Sequence, residues 1–203
     1  MALKSCTVLI TGANRAGSSL LLVKINATSA GDAAAAVEQV KAAGITALDI
    51  DIDPGKMEEI FQVNTFSFVT LLSATFPLLK ASADSPDRRG PPKLLALSSN
   101  AAQIMDMEPT IPVKVGAYGA SKAALNYLVR RAHFENPWLA CWVMNPGFFQ
   151  TESGEESAKL WGMPGAPHAL KDVVPALMGK IDEATVEKTS GKFYNFDGTE
   201  LAY

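Results

Sequence analysis

Two uninterrupted apolar runs, 94–97 (LLAL) and 139–144 (LACWVM), stand on either side of a strong helical stretch at 117–134. A strand with one wet face alternates apolar and polar residues, whereas a strand without alternation is covered on both faces. Short runs of that kind, separated by a helix, belong to a parallel sheet clad with helices on both sides. The rest of the chain keeps this rhythm. Segments 7–10 and 20–25 read as strands, Asp32 caps a helix that carries Val37 and Val40 and stops at Gly44, and 45–52 reads as a further strand. Asp53-Pro54 opens a long helix, with an acidic cap and proline at the first helical position. Its Met57, Ile60, Phe61, Phe68, Leu72 and Phe76 recur at helical spacing up to about Leu79. Segment 81–92 reads as a surface loop, 100–115 as a Pro-containing loop, and 193–196 as a last short strand. The fold class is α/β, a doubly wound parallel sheet in a single domain over residues 1–203.

Composition narrows the partners. A chain of 203 residues, 48% hydrophobic and 19% charged, is long enough to bury a sizeable core. Its net charge of −3 gives no electrostatic reason to expect nucleic acid or an anionic membrane. No run reaches the roughly 18 consecutive apolar residues of a membrane span. The start MALKSCTVLITG does not read as a signal peptide. Cys6 and Cys141 lie in apolar strand-like runs and are expected as buried, reduced thiols of a cytoplasmic protein.

The spacing that carries chemistry is Tyr118-Gly-Ala-Ser-Lys122. On a helix, positions i and i+4 share a face, and a cation beside a phenol favours the phenolate. Lys122 is therefore expected to lower the pKa of Tyr118 towards the range useful for proton transfer. Alone the spacing is a weak signal, which a packing Tyr beside a surface Lys satisfies equally well. Its surroundings sharpen it. Ser98-Ser99 follow a strand, and Asn145-Pro146-Gly147 follow another, with Thr151 four residues after the glycine. Val63-Asn64-Thr65 lie within the long helix. Ligands of open parallel sheets bind beyond the carboxyl ends of the strands, where these groups gather.

With Thr11-Gly12 after the first strand, these pieces in this order resemble the short-chain dehydrogenase/reductase family, whose fold is Rossmann-like. The second half, through AYGASKAALNYL, HFENP and TSGKF…DGTEL, looks most like fungal ketoreductases of the norsolorinic-acid type. The resemblance implies an NADP(H)-dependent oxidoreductase that reduces a ketone or oxidises a secondary alcohol, in the setting of a polyketide-like or aromatic secondary metabolite. It makes Tyr118 the general acid or base, and Lys122 the residue that holds the nicotinamide ribose. Ser99, rather than Ser98, becomes the hydrogen-bond donor to the substrate oxygen, and Asn64 the support of a water next to Lys122. Thr11, Gly12, Asn14 and Arg15 would meet the cofactor phosphates, with Arg15 favouring NADP over NAD, and Asn26 would meet the adenine. Pro146, Gly147 and Thr151 would meet the nicotinamide carboxamide. The family's usual association through the Tyr118 helix and the long helix before it implies a homodimer or homotetramer.

No metal is expected. His133 and His168 stand far apart, and the Asp49, Asp51, Asp53 alternation has Pro54 and Ile60 where a calcium loop requires glycine and glutamate. Phe148, Phe149, Trp161 and Met163 fall where the family covers its substrate, and serve equally well as a wall for a flat apolar ligand or as ordinary packing under a loop.

The chain departs from the family in its first half. Ala16 and Ser18 replace two glycines of the Thr-Gly-x-x-x-Gly-x-Gly loop, and only seven residues separate Gly12 from Leu20. A strand–helix–strand unit takes roughly 30 residues, so one βα unit is missing after the first strand. The Asn-Ala-Gly expected after the fourth strand is also absent, and the junctions fall at 17–19 and 49–52. A second reading follows: a redox-inactive relative that binds a ligand or a protein partner, or performs a cofactor-free isomerisation or cyclisation.

Overall fold

The computed structural model describes residues 6–14, 17–25, 31, 35, 38–39, 42, 54–87, 90–160 and 162–203. The chain divides into two compact units, Met1–Ile50 and Asp51–Tyr203.

In the first unit, β1 (Cys6–Asn14) and β2 (Gly17–Ile25) form an antiparallel two-stranded sheet, in register from Cys6↔Ile25 to Asn14↔Gly17. This corrects the expected parallel arrangement for this pair. Two residues separate the strands, and a parallel pair needs a crossover of about a dozen or more. Gly31, Ala35, Glu38, Gln39 and Ala42 are helical, on the stretch read as a helix. Arg15, Ala16, Asn26, Asp32, Val37, Val40, Gly44 and segment 45–53, with Asp49, Asp51 and Asp53, lie outside the described residues.

The second unit begins with α1 (Pro54–Phe61), passes through a π-helical turn (Gln62–Phe66) and continues as α2 (Ser67–Asp84). The helix runs one turn beyond Leu79, into the segment read as loop. A Lys80–Asp84 ion pair at i,i+4 spans that extra turn, and the chain becomes extended at Ser85.

The sheet of this unit has the order β3-β4-β5-β6. Strands β3 (Lys93–Leu97), β4 (Ala140–Asn145) and β5 (Phe193–Asn195) are parallel. Strand β6 (Glu200–Leu201) returns antiparallel to β5. Central β4 explains its unbroken apolar run, because Ala140 to Met144 are all 0% exposed. Cys141 and Val143 join Leu125 and Val129 of α3 (Gly116–Glu135) in one core, against which Phe68, Leu72 and Leu79 of α2 also pack. Trp142 and Met144 join Tyr194 in a second core, covered by Leu177 and Ile181 of α5 (Leu170–Glu183). Helices thus clothe both faces of a parallel-dominated sheet, the Rossmann-like α/β arrangement expected from the pattern. Helix α5 and α4 (Glu152–Leu160) have no counterpart in the sequence reading.

One compositional expectation needs correction. The helix Gly55–Asp84 contains an 18-residue window of mean hydropathy 1.3, long and apolar enough to cross a membrane by length and composition. It fell short of an uninterrupted apolar run because Thr, Ser and Asn are scattered through it. One side of the helix is tied to the unit through Phe68, Leu72 and Leu79.

Candidate active site

The carboxyl ends of β3 and β4 lie side by side, and Ser98 N donates to Met144 O at 2.7 Å just beyond them. Ser98-Ser99 and Asn145-Pro146-Gly147 therefore emerge at one edge of the sheet. Helix α3 reaches that edge because it carries glycine at 119. A Cβ there would lie 2.5 Å from the Ala101 carbonyl oxygen, so the close packing of α3 on the turn Asn100–Ala102 requires a residue without one.

This close packing brings the Ser99 hydroxyl to bear on the Tyr118 phenol, while Ser99 Oγ donates to Asn100 Oδ1 at 3.3 Å and accepts from Ala101 N at 3.2 Å. Burial pushes the Tyr118 phenol above its ordinary value of 10.0, and the Ser99 hydroxyl works against that rise. The expected lowering by Lys122 is not what the structure gives. Lys122 Nζ sits over the Tyr118 ring, 5.8 Å from its centroid, and donates to the Leu97 carbonyl at 2.9 Å. Its charge faces the ring and a backbone oxygen. Burial holds the Lys122 ammonium below its usual pKa.

Asn64 belongs to the π-helical turn. Its Nδ2 donates to Ser121 Oγ at 3.0 Å, and Thr65 Oγ1 donates to Ser121 O at 2.9 Å. Ser121 Oγ in turn donates to Tyr118 O at 2.7 Å. Asn64 is thus coupled to the turn of α3 that carries both Tyr118 and Lys122. Single π-helical turns within α-helices frequently mark functional sites.

The turn after β4 is set by Gly147, with φ of +81°. Its amide donates to Asn145 Oδ1 at 3.3 Å, and Asn145 Nδ2 donates to Asn195 Oδ1 at 2.9 Å. A Cβ on Gly147 would meet the Phe196 ring at 2.8 Å. Thr151 precedes α4, and its Oγ1 accepts from Gly154 N at 3.1 Å.

A cavity of about 570 Å³ begins one residue from Tyr118 and two from Ser99 in the chain. Gln103, Ile104, Met107, Ile111, Val115 and Gly119 help to line it. These residues escaped the sequence reading, although the exposed apolar side chains of MDMEPTI, within a loop of no periodicity, were a usable signal. Phe148, Phe149 and Met163 are not among its lining, and Trp161 lies outside the described residues. Phe149 instead forms a bridge with His168.

Thr11, Gly12 and Asn14 fall within β1, paired with Leu20, Ser19 and Gly17. A phosphate-binding turn presents the free amides of a helix N-terminus. This stretch continues as a strand, with Ser18 opposite Ala13.

The short chain dehydrogenase family model matches residues 8–160. Norsolorinic acid ketoreductase nor1 of Dothistroma septosporum is 35% identical over 92% of the chain and 74% of its own length. The norsolorinic acid ketoreductase of Aspergillus parasiticus is 34% identical over 92% of the chain and 73% of its own. Among solved structures, the carbonyl reductase Sniffer of D. melanogaster superposes with a TM-score of 0.64 at 25% identity. That match covers 77% of the chain, which spans 61% of the reductase.

Proposed function

The chain belongs to the short-chain dehydrogenase family, and from that premise we propose that it is an NADP(H)-dependent ketoreductase acting on a flat, apolar ketone or the matching secondary alcohol. The observation that carries the reading is the gathering of Ser99, Tyr118 and Lys122 at the carboxyl edge of the sheet, with Lys122 over the Tyr118 ring and bonded to the Leu97 carbonyl. The relatives named for norsolorinic acid reduction support the ketone, and the apolar cavity beside the pair supports a flat, ring-bearing one.

The nicotinamide cofactor, when bound, supplies the hydride. Ser99 donates a hydrogen bond to the carbonyl oxygen, and Tyr118, kept protonated by its raised pKa, delivers the proton to that oxygen. Lys122 would hold the ribose hydroxyls, Asn64 steadies the Tyr118–Lys122 turn through Ser121, and Pro146, Gly147 and Thr151 would meet the carboxamide. Arg15 favours NADP over NAD on sequence grounds alone.

The nicotinamide end and the phosphate end differ in fit. Tyr118, Lys122 and the Gly147 turn present polar groups suited to the ribose and the carboxamide. Thr11–Asn14, held in a strand ladder, offers no helix N-terminus to a pyrophosphate. That pairing favours the second reading, a relative that has lost redox turnover and binds an aromatic ligand or performs cofactor-free proton transfer. NADPH titration of the purified chain, followed by nucleotide fluorescence and thermal shift, separates the two. Saturable binding with reduction of an aromatic ketone supports the ketoreductase. No binding at millimolar NADPH overturns it for this chain.

A homodimer belongs to the same proposal. Val69 and Phe76 of α2 are 42% and 37% exposed, and with Leu128 of α3 they line an open groove between the two helices.

A further inference from the structure

Three consecutive residues at the end of β3 each meet one member of a single line on α3. The Leu97 carbonyl accepts from Lys122 Nζ at 2.9 Å, Ser98 Oγ donates to Asn126 Oδ1 at 2.6 Å, and the Ser99 hydroxyl acts on the Tyr118 phenol, favouring its ionised form. Tyr118, Lys122 and Asn126 stand at i, i+4 and i+8, so they follow one side of the helix. The middle rung is the buried one, with Ser98 3% and Asn126 2% exposed. A hydrogen bond removed from water in this way is stronger and more costly to break than an exposed one.

For packing alone, Asn126 is a poor choice. Its neighbours Leu125 and Val129 are buried apolar residues, and its Nδ2 is buried without a hydrogen-bond partner. An apolar side chain of similar size would leave no amide hydrogen orphaned. What an apolar pair cannot supply is direction, since a hydrogen bond weakens steeply as its distance and angle drift. Ser98 and Ser99 are joined by one peptide bond, so a displacement of the first carries the second with it. We propose that Asn126 is a positioning residue which, through Ser98, fixes the end of β3 against α3 and so holds Ser99 against Tyr118. The proposal rests on the reading of Ser99 and Tyr118 as the reacting pair. It assigns the two serines separate tasks, one facing the chemistry and one anchoring the strand to the helix.

The test needs neither cofactor nor turnover. The full chain is labelled with ¹³Cζ-tyrosine, Tyr118→Phe identifies the Tyr118 resonance, and that resonance is titrated with pH. Ser99→Ala provides the reference, and loss of the opposing hydroxyl is expected to raise the Tyr118 pKa further. The double variant Ser98→Ala/Asn126→Leu, which removes both polar partners, is expected to move Tyr118 in the same direction by a comparable amount. Ser98→Ala alone gives the same reading with a smaller change in packing. Variants that fold while Tyr118 titrates as in the wild-type chain overturn the proposal. A Ser99→Ala chain with unmoved Tyr118 strikes instead at the reading of the pair itself. Where turnover is measurable, Asn126→Leu is expected to lower kcat per folded chain, the folded fraction being counted by circular dichroism, with little change in KM for NADPH.

Discussion

Lys122 lies over the ring of Tyr118 and gives its hydrogen bond to the Leu97 carbonyl. The phenol is thereby left under the control of burial, which raises its pKa, and of Ser99, which restrains the rise. The sign for catalysis follows. Reduction needs the protonated phenol, so its rate is expected to hold across neutral pH and to fall only as pH passes the raised Tyr118 pKa. Oxidation of the alcohol needs the phenolate and is expected to climb with pH instead. Steady-state rates in both directions from pH 6 to 11 check this, and an alkaline fall in reduction below the ordinary tyrosine range would contradict it.

Tyr118→Phe keeps the ring and removes the hydroxyl. Turnover is expected to drop by roughly 10²–10⁴-fold, the usual worth of a positioned acid. Circular dichroism and melting should remain near those of the wild-type chain, because Ser99 is only half-buried and regains a partner in water. Unchanged turnover would remove Tyr118 from the mechanism.

Gly119→Ala is a small change with a steric cause. The new methyl would sit 2.5 Å from the Ala101 carbonyl oxygen, a backbone atom with little freedom to yield. Overpacking of this kind costs about 1–3 kcal/mol. Denaturant unfolding is expected to register that loss, and any activity should fall with it as Tyr118 is pushed from Ser99. A variant as stable as the wild type would mean that α3 and the turn can part freely.

Cys141 tests the burial of the central strand. Desolvation pushes its thiol up to about 11, although the Ser190 hydroxyl opposes the rise. At pH 8 the folded chain is expected to leave Cys141 unalkylated by iodoacetamide, and denaturant should expose it. Mass spectrometry of the tryptic peptide distinguishes the two states.

Val69→Asp places a charge in the groove between α2 and α3. Sedimentation velocity is expected to find a dimer for the wild-type chain and a monomer for the variant, with unchanged far-ultraviolet circular dichroism. A wild-type monomer at micromolar concentration would rule out association through this face.

The second half of the chain was legible because its signals are local. The run at 139–144 could only be a strand buried on both faces, and the spacing of Tyr118 and Lys122 fixed their common side of a helix. The ionisation of Tyr118 was not legible, since spacing says that a cation is near without saying which atoms it faces. The extent of α2 was misjudged for a related reason, as Asp84 reads as loop polarity until it is seen paired with Lys80 one turn back. The pairing of β1 with β2 was open to arithmetic, since the nine residues between 7–10 and 20–25 are fewer than the dozen or so a parallel crossover takes, but the apolar runs carry no sign of strand direction. Ser98 and Asn126 are 28 positions apart, and no local pattern announces a bond across that gap.

The Gly147 turn has a consequence for the order of events in the cell. Its amide is oriented by Asn145, which is held by Asn195, and its outer side rests on Phe196. Ribosomal synthesis runs from the amino end, so β4 and its turn are made before Asn195 and Phe196. Until they are made, β4 has no β5 to pair with, and the Gly147 turn lacks both the Asn195 bond and the Phe196 ring. Every residue around Tyr118 and Ser99 is translated earlier, so that turn is the part of the site completed last.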